Sequence, residues 1–225
     1  TNHPRMLTAL AACKENGGSV VSINPLEETA MKRFKHPQNP LHLIGRGVQI
    51  ADEHLPVRIG GDAALLQGFA KTILSQGGAD LDFISANTLG FEDWKKHIES
   101  TDWEKIVEQS GISRDRIEKT GNAIAKSERM IVCWAMGLTQ HENSVAVIQE
   151  VSNLLLAGGH FGKPGAGACP VRGHSNVQGD RTVGVNHNPT EDFISSCESE
   201  TGINMPRKKG YDCLLYTSPS PRDDL

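Results

Sequence analysis

Side chains capable of binding or catalysis are concentrated in one glycine- and proline-rich stretch, residues 158–179. It carries an arginine, a histidine and two amides, Arg172, His174, Asn176 and Gln178. A guanidinium can hold both oxygens of a carboxylate, an imidazole can exchange a proton near neutral pH, and an amide both donates and accepts hydrogen bonds. A loop this long and polar is typical of a functional segment. These residues alone leave open the alternative that the glycines only supply turn geometry.

The spacing of the cysteines and histidines predicts no metal site within the chain. The five cysteines form no C-x-x-C pair, and the nine histidines include no H-E-x-x-H motif. No predicted strand is followed by G-x-G-x-x-G, and residues 162–165 lack the G-K-[ST] order of a phosphate-binding loop. These patterns disfavour a disulfide scaffold, a zinc protein, a NAD dehydrogenase and a nucleotide hydrolase.

The amino-acid composition further narrows the class of protein to which this chain can belong. The 225 residues are 37% hydrophobic and 22% charged, which is enough to bury a core as one large domain or two small ones. With 23 Lys and Arg against 27 Asp and Glu, there is no electrostatic footprint for nucleic acid. No apolar run approaches the roughly 20 residues that cross a bilayer. We expect a globular cytoplasmic chain that has no membrane span and binds no nucleic acid.

Helical and extended patterns alternate along the chain, which predicts an α/β fold: a Rossmann-like, mostly parallel sheet flanked by helices. Strands are predicted at residues 19–23, around 55–57 and, as a central buried strand, at 129–135. The predicted helices cover residues 3–16, about 144–157 with Val147, Ile148, Val151, Leu154 and Leu155 buried, and a segment capped by Asp62 that ends at residues 77–78. Residues 80–126 are predicted to be a helical insertion in which Trp94 and Trp103 are packing anchors and Ser113 is a cap.

Ligands of such sheets bind beyond the carboxyl ends of the strands. The segments at these ends are residues 24–25, 60–62 and 137–141. Five motifs at and near them resemble, in order, those of the molybdopterin oxidoreductases: VSINP (21–25), LPVRIGGDAAL (55–65), LTQH (138–141), GGHFGKPGAG (158–167) and PVRGHSNVQG (170–179). Their forms are most similar to the formate dehydrogenase-like members of the dimethyl sulfoxide reductase superfamily, in the YdeP-type branch.

This resemblance implies a molybdenum or tungsten ion held by two molybdopterin guanine dinucleotides, and a [4Fe-4S] cluster in many members. The metal ligand, a cysteine or selenocysteine, and the cluster cysteines would precede Thr1, so no residue of this chain is expected to bind the metal. Asp62 would pair with a guanine base. Gln140 would contact the pterin, and His141 is a second contact there or an ordinary loop histidine. The cofactor-binding residues implied are Asn24, Pro25, Gly61, Asp62, Gln140, Gly173, Asn176, Gln178 and Gly179.

The resemblance also implies two catalytic residues. Arg172 matches the arginine that orients the substrate carboxylate beside the metal in formate dehydrogenases. His174 stands where those enzymes commonly have glutamine, and its imidazole could accept a proton or replace an amide hydrogen bond. The expected substrate is therefore formate or another small molecule, and the electron-transfer partner is not implied.

The domain organisation expected from these motifs has three parts. Residues 1–174 form the cofactor-binding domain with its insertion at about 80–126, and residues 175–212 form a cofactor loop and the start of an adjoining domain. Residues 213–225 resemble a translated sequencing adapter, with a native Pro- and Ser-rich tail as the alternative. The chain is interpreted as an internal fragment of a catalytic subunit, inactive alone. Competing hypotheses are the same cofactor fold acting on a different small substrate, and a cofactor-binding module without catalysis.

Overall fold

A computed structural model describes residues 4–36, 45, 47–171 and 176–210. It divides into two compact units, one ending at Val171 and the other containing residues 176–210. The predicted α/β class is confirmed, because short parallel strands alternate with the helices that flank them.

The first unit begins with two short parallel strands and the helices beside them. Helix α1 (Pro4–Glu15) leads to β1 (Val21–Ile23), and α2 (Thr29–Lys32) separates β1 from β2 (Glu53–Leu55). Strands β1 and β2 pair in parallel, with Ser22 opposite His54. A small apolar core of Leu7, Ala11, Phe34 and Ile50 lies beneath this pair.

A helical segment follows β2. It consists of α3 (Asp62–Ser75), α4 (Leu81–Asn87), α5 (Phe91–Ser100), α6 (Trp103–Ser110) and α7 (Arg114–Ala125). Asp80 caps α4, because its carboxylate accepts a hydrogen bond from the Phe83 N–H at 3.0 Å. Asp102 caps α6 in the same way, accepting from the Glu104 N–H at 3.0 Å. The helices predicted for residues 80–126 are therefore present, and their being an insertion in the domain stays a prediction.

Two strands and two helices complete the unit. Strand β3 (Ile131–Trp134) is followed by α8 (Met136–Thr139) and α9 (Ser144–Ala157), and β4 (Gly167–Pro170) returns parallel to β3. The predicted bounds of α9 are confirmed, although Ile148, which was expected among the buried residues, is half-buried. The second unit holds α10 (Val177–Thr182) and α11 (Glu191–Thr201), and Thr190 caps the latter.

The main core lies around α3. Leu65, Phe69 and Ile73 of this helix pack with residues of α6, α7 and α9, and Trp94 and Trp103 lie against the same cluster, as predicted. Gly68 lets α7 approach closely, because a Cβ there would lie 2.7 Å from Ile117 Cγ2. Full burial of one such aliphatic side chain contributes roughly 1.5–3 kcal/mol.

Three local predictions are wrong. Strand β2 ends at Leu55, since Pro56 has no N–H with which to continue the ladder. Residues 129–135 do not form a buried central strand: among the described residues β3 pairs only with β4, and Ile131 is 54% exposed. The loop expected at residues 158–179 contains β4, whose pairing with β3 the glycine content concealed.

Candidate functional site

The carboxyl ends of β1 and β2 carry the first predicted site segments. Asn24 follows β1, and its backbone N–H donates to the Leu55 oxygen at 3.2 Å, so it lies beside the end of β2. Its side chain closes a local turn: Oδ1 accepts from the Leu26 N–H at 3.2 Å, and Nδ2 donates to Glu28 at 3.3 Å. Pro25 lies within this turn. The Asn24 amide therefore retains one N–H for a ligand.

Asp62 is the first residue of α3 rather than its cap. Gly61 occupies the cap position, and no side chain caps this helix, so the predicted capping role of Asp62 is wrong. The Asp62 carboxyl is half-buried. Burial raises its pKa above the ordinary value, and neither its own backbone N–H nor the charge of His141 compensates fully.

The loop before Asp62 is held by the end of α6. The Arg58 N–H donates to the Ser110 oxygen at 2.9 Å, and the Arg58 guanidinium donates to the Glu108 oxygen at 2.6 Å. Gly111, at φ 71, ends α6 and leaves room for the Arg58 side chain, against which a Cβ would lie at 2.7 Å. Arg58 thus satisfies carbonyls that the helix end leaves free.

Gly60 and Gly61 have different physical roles. Gly60 has a φ of 83, and no atom of a described residue lies within 4 Å of the position that a Cβ would occupy. Gly61 is buried, and a Cβ there would contact Gln109 and Ser110 of α6. The surface beside Asp62 is therefore open on the Gly60 side and closed on the helix side.

The carboxyl end of β3 supplies the third predicted segment. Gln140 ends α8, and its backbone N–H donates to the Met136 oxygen at 3.1 Å. Its side chain is exposed. His141 follows and is close enough to Asp62 for its charge to lower the pKa of that carboxyl. The structure thus brings the segments after β2 and β3 together.

The remaining predicted residues fall in two groups. Arg172, Gly173 and His174 lie outside the described residues. Asn176 occupies the N-terminal cap position of α10 in the second unit without a capping side-chain hydrogen bond, and Gln178 and Gly179 lie within that six-residue helix.

Two titratable features of the first unit have no motif in the sequence. Glu53 of β2 forms ion pairs with Arg116 and Lys119 of α7, and these partners lower its pKa, the hydrogen bonds from Arg116 contributing most. His160 is 2% exposed, and its Nδ1 has no hydrogen-bond partner among the described residues. Desolvation, followed by the charge of Lys163, lowers the pKa of His160, so the ring is neutral at pH 7. Glu53 pairs with residues far along the chain, and the burial of His160 depends on tertiary packing, so no local pattern encodes either feature.

The sequence profile of the molybdopterin oxidoreductase family matches residues 19–214. The chain belongs to this family. It is 41% identical over 220 residues to an uncharacterised oxidoreductase of Mycobacterium tuberculosis (strain H37Rv), covering 95% of this chain and 28% of that protein. It is equally 41% identical over 225 residues to the protein YdeP of Escherichia coli K12, covering 95% and 30%. This molybdopterin oxidoreductase chain thus spans under a third of these relatives.

Two further relatives are more distant. Formate dehydrogenase H of Escherichia coli K12 is 29% identical over 185 residues, which covers 82% of this chain and 23% of that enzyme. The solved structure of acetylene hydratase from Pelobacter acetylenicus aligns with a TM-score of 0.60 at 22% identity, over 71% of this chain and 20% of the other. At that identity, the structural likeness shows the fold alone.

A molybdopterin cofactor with its metal is implied by the family, and the residues present fit such a group. The half-buried Asp62 carboxyl has no ion pair with any described residue, so N–H donors from a ligand would offset its desolvation. The open space at Gly60 lies next to it. No three potential metal-ligating side chains cluster among residues 4–36, 47–171 and 176–210. The same ranges contain no helix of the length and apolarity needed to cross a bilayer.

Proposed function

We propose that this chain is part of the catalytic subunit of a formate dehydrogenase-like molybdopterin oxidoreductase that oxidises formate, or a related small substrate, to CO2 or the corresponding product. The observation that carries the proposal is the Asp62 carboxyl, which is half-buried without an ion-pair partner among the described residues, where the segments after β2 and β3 meet. The 29% identity to formate dehydrogenase H supports formate as the first substrate to test.

The residues proposed to hold the cofactor are assigned by their chemistry. Asp62 accepts the paired N–H groups of a guanine base, as an ionised carboxylate accepts two parallel hydrogen bonds. Gly61 keeps Asp62 against α6, and Gln140 and Asn24 offer amide groups after β3 and β1. The other proposed contacts are Pro25, Gly173, Asn176, Gln178 and Gly179.

When bound, a molybdenum or tungsten ion held by two molybdopterin guanine dinucleotides supplies the two-electron chemistry. Arg172 binds both carboxylate oxygens of formate with its planar guanidinium and so fixes the direction of the C–H bond. The imidazole of His174 accepts the released proton at a ring nitrogen, which requires the neutral ring. The complete enzyme would carry a cysteine or selenocysteine metal ligand and a [4Fe-4S] cluster outside this chain, and we place it in the cytoplasm.

Steady-state turnover of formate with an artificial electron acceptor tests this proposal in the full-length, metal-loaded protein. We expect formate oxidation that Arg172→Lys reduces strongly, because lysine keeps the charge but cannot bind two oxygens in one plane. His174→Gln is the matched variant: it should retain turnover but lose the part of the pH profile that reports imidazole ionisation. Absence of formate turnover in a preparation with a full complement of metal would overturn formate as the substrate.

A second candidate keeps the cofactor and changes the substrate. The observation that favours it is His174 in the place of the usual glutamine, since a shorter, ionisable group changes both the space and the proton chemistry beside Arg172. Turnover of another small carboxylate or oxidised compound, together with inactivity towards formate, would select this candidate. A protein that binds the pterin but turns over no substrate would instead be the non-catalytic module.

A further inference from the structure

Strands β3 and β4 each carry a cysteine, and the two cysteines are directly opposed. The parallel register pairs Cys133 of β3 with Cys169 of β4. Paired residues of neighbouring parallel strands project their side chains from the same face of the sheet, and the strands lie about 4.8 Å apart. Disulfides join Cα atoms that are roughly 4.4–6.8 Å apart, so this backbone spacing suits a bond between the two sulfurs.

The two thiols already interact. Partial desolvation of the Cys133 sulfur, and then the negative charge of Cys169 and the hydrogen bond between the thiols, raise the pKa of Cys133 to about 11. Cys133 therefore keeps its proton at neutral pH and shares it with the neighbouring sulfur. Because Cys133 holds its proton, we assign the first attack to Cys169, since a thiolate is the nucleophile and a thiol is not.

Reagents in solution can reach this pair in the first unit. Cys133 is exposed, Cys169 is half-buried, and Ile131, two residues before Cys133, is 54% exposed. Cys13, which is also exposed, lies on α1 and provides a comparison cysteine in the same chain.

We propose that Cys133 and Cys169 form a reversible dithiol–disulfide pair that reacts with hydrogen peroxide and covalently links β3 to β4. The Cys169 thiolate attacks one peroxide oxygen: an S–O bond forms, the O–O bond breaks, and the leaving hydroxide takes up a proton as water. Cys133 then loses its proton and attacks the Cys169 sulfur, which forms the S–S bond and releases the second water. Two thiols and one peroxide give one disulfide and two waters, with two electrons passing from sulfur to oxygen.

The position of this link gives it a structural effect. Strand β3 leads through α8 to Gln140, and the sequence after β4 reaches Arg172 within two residues. A bond between Cys133 and Cys169 would fix the separation of the strands from which both segments start. The formation of the disulfide does not rest on the proposed function, since it requires only the two opposed thiols.

Peptide mass spectrometry tests the proposal in the full-length protein without any mutation. Trypsin releases both cysteines in one peptide, residues 130–172, because the bond after Lys163 precedes a proline and resists cleavage. After treatment with stoichiometric peroxide, we expect this peptide to lose two hydrogens and both cysteines to resist alkylation until dithiothreitol is added. Cys133→Ser should leave a sulfenic acid on Cys169 that dimedone traps, and Cys13→Ser should oxidise as the unmodified protein does.

Three results would overturn the proposal. The first is full alkylation of both cysteines after a peroxide dose that oxidises Cys13. The second is a disulfide from Cys133 or Cys169 to any other cysteine. The third is oxidation of the wild-type peptide to a sulfinic acid without loss of two hydrogens.

Discussion

Gly61→Ala tests whether contact with α6 fixes the position of Asp62. A Cβ at Gly61 would lie 2.9 Å from Ser110 Cα and 3.1 Å from the Arg58 oxygen. These are backbone atoms, which cannot swing aside as a side chain does, so the loop must move away from α6. The φ of −87 suits any residue, and the whole effect is therefore steric. Overpacking of this kind destabilises by about 1–3 kcal/mol.

Gly60 is the matched control for this substitution. Its φ of 83 makes Gly60→Ala unfavourable by roughly 1–2 kcal/mol through backbone strain alone, and no atom lies within 4 Å to clash. The two positions should therefore differ in their dependence on side-chain size. Gly61→Leu should be more destabilising than Gly61→Ala, whereas Gly60→Leu and Gly60→Ala should be alike.

Urea denaturation gives the free energies of unfolding, and the metal and pterin content of the purified full-length protein reports cofactor retention. We expect Gly61→Ala to lower the free energy of unfolding and the pterin content, because a displaced Asp62 no longer reaches the guanine base that we propose it binds. Equal effects of Ala and Leu at Gly61, or normal stability of both variants, would refute the steric argument.

Three further predictions concern single side chains. Asp62→Asn should lower pterin retention by roughly tenfold or more, since it removes a charge-assisted hydrogen bond of about 1.5–3 kcal/mol. Asp62→Asn should also flatten the pH dependence of the free energy of unfolding. Burial raises the pKa of Asp62 in the folded state above its ordinary 3.8. The protonated carboxyl therefore contributes stability below pH 3.8, and that contribution is lost as pH rises through the folded-state pKa. Leu155→Ala, at 0% exposure, should lower the free energy of unfolding by about 2–5 kcal/mol in urea denaturation, and a loss under 1 kcal/mol would contradict the observed packing. In an NMR titration, Glu198 should ionise with a pKa of about 2, because its hydrogen bond with Arg207 holds that pKa down. Their ion pair should therefore persist at pH 4 and be lost only as pH falls through 2. Ionisation of Glu198 near pH 4.5 would contradict this prediction.

The helical parts of the fold were predictable from local sequence. Helix α9 has a periodic apolar face and is followed by two glycines, so its bounds were visible in the residues themselves. The strands were less visible because each is three or four residues long and pairs with a strand about 30 residues or more away. Strand β4 begins at Gly167, whose φ of 127 and neighbouring glycines favour a loop on local grounds, and only the partner β3 makes it a strand.

The candidate site was predictable as a set of segments but not as an arrangement. Asn24 and Gln140 follow β1 and β3, as the rule for parallel sheets indicated. The electrostatic interaction between His141 and Asp62 depends on how the strands are placed, and no sequence motif encodes it. The role of Arg58 was hidden for the same reason, since it lies 50 residues from the Glu108 carbonyl that it caps.

The helical segment from α3 to α7 also bears on the order of folding. Its five helices are contiguous in sequence, and each is held by backbone hydrogen bonds between residues four apart, whereas each parallel pair of strands must first close a crossover. Loop closure opposes the distant pairings until they form, so contacts between near neighbours develop sooner. The helices would then form first, and the strands would pair later. Asn24, the loop before Asp62 and Gln140 follow the ends of those strands. The proposed cofactor-binding surface would therefore be among the last parts of the chain to fold.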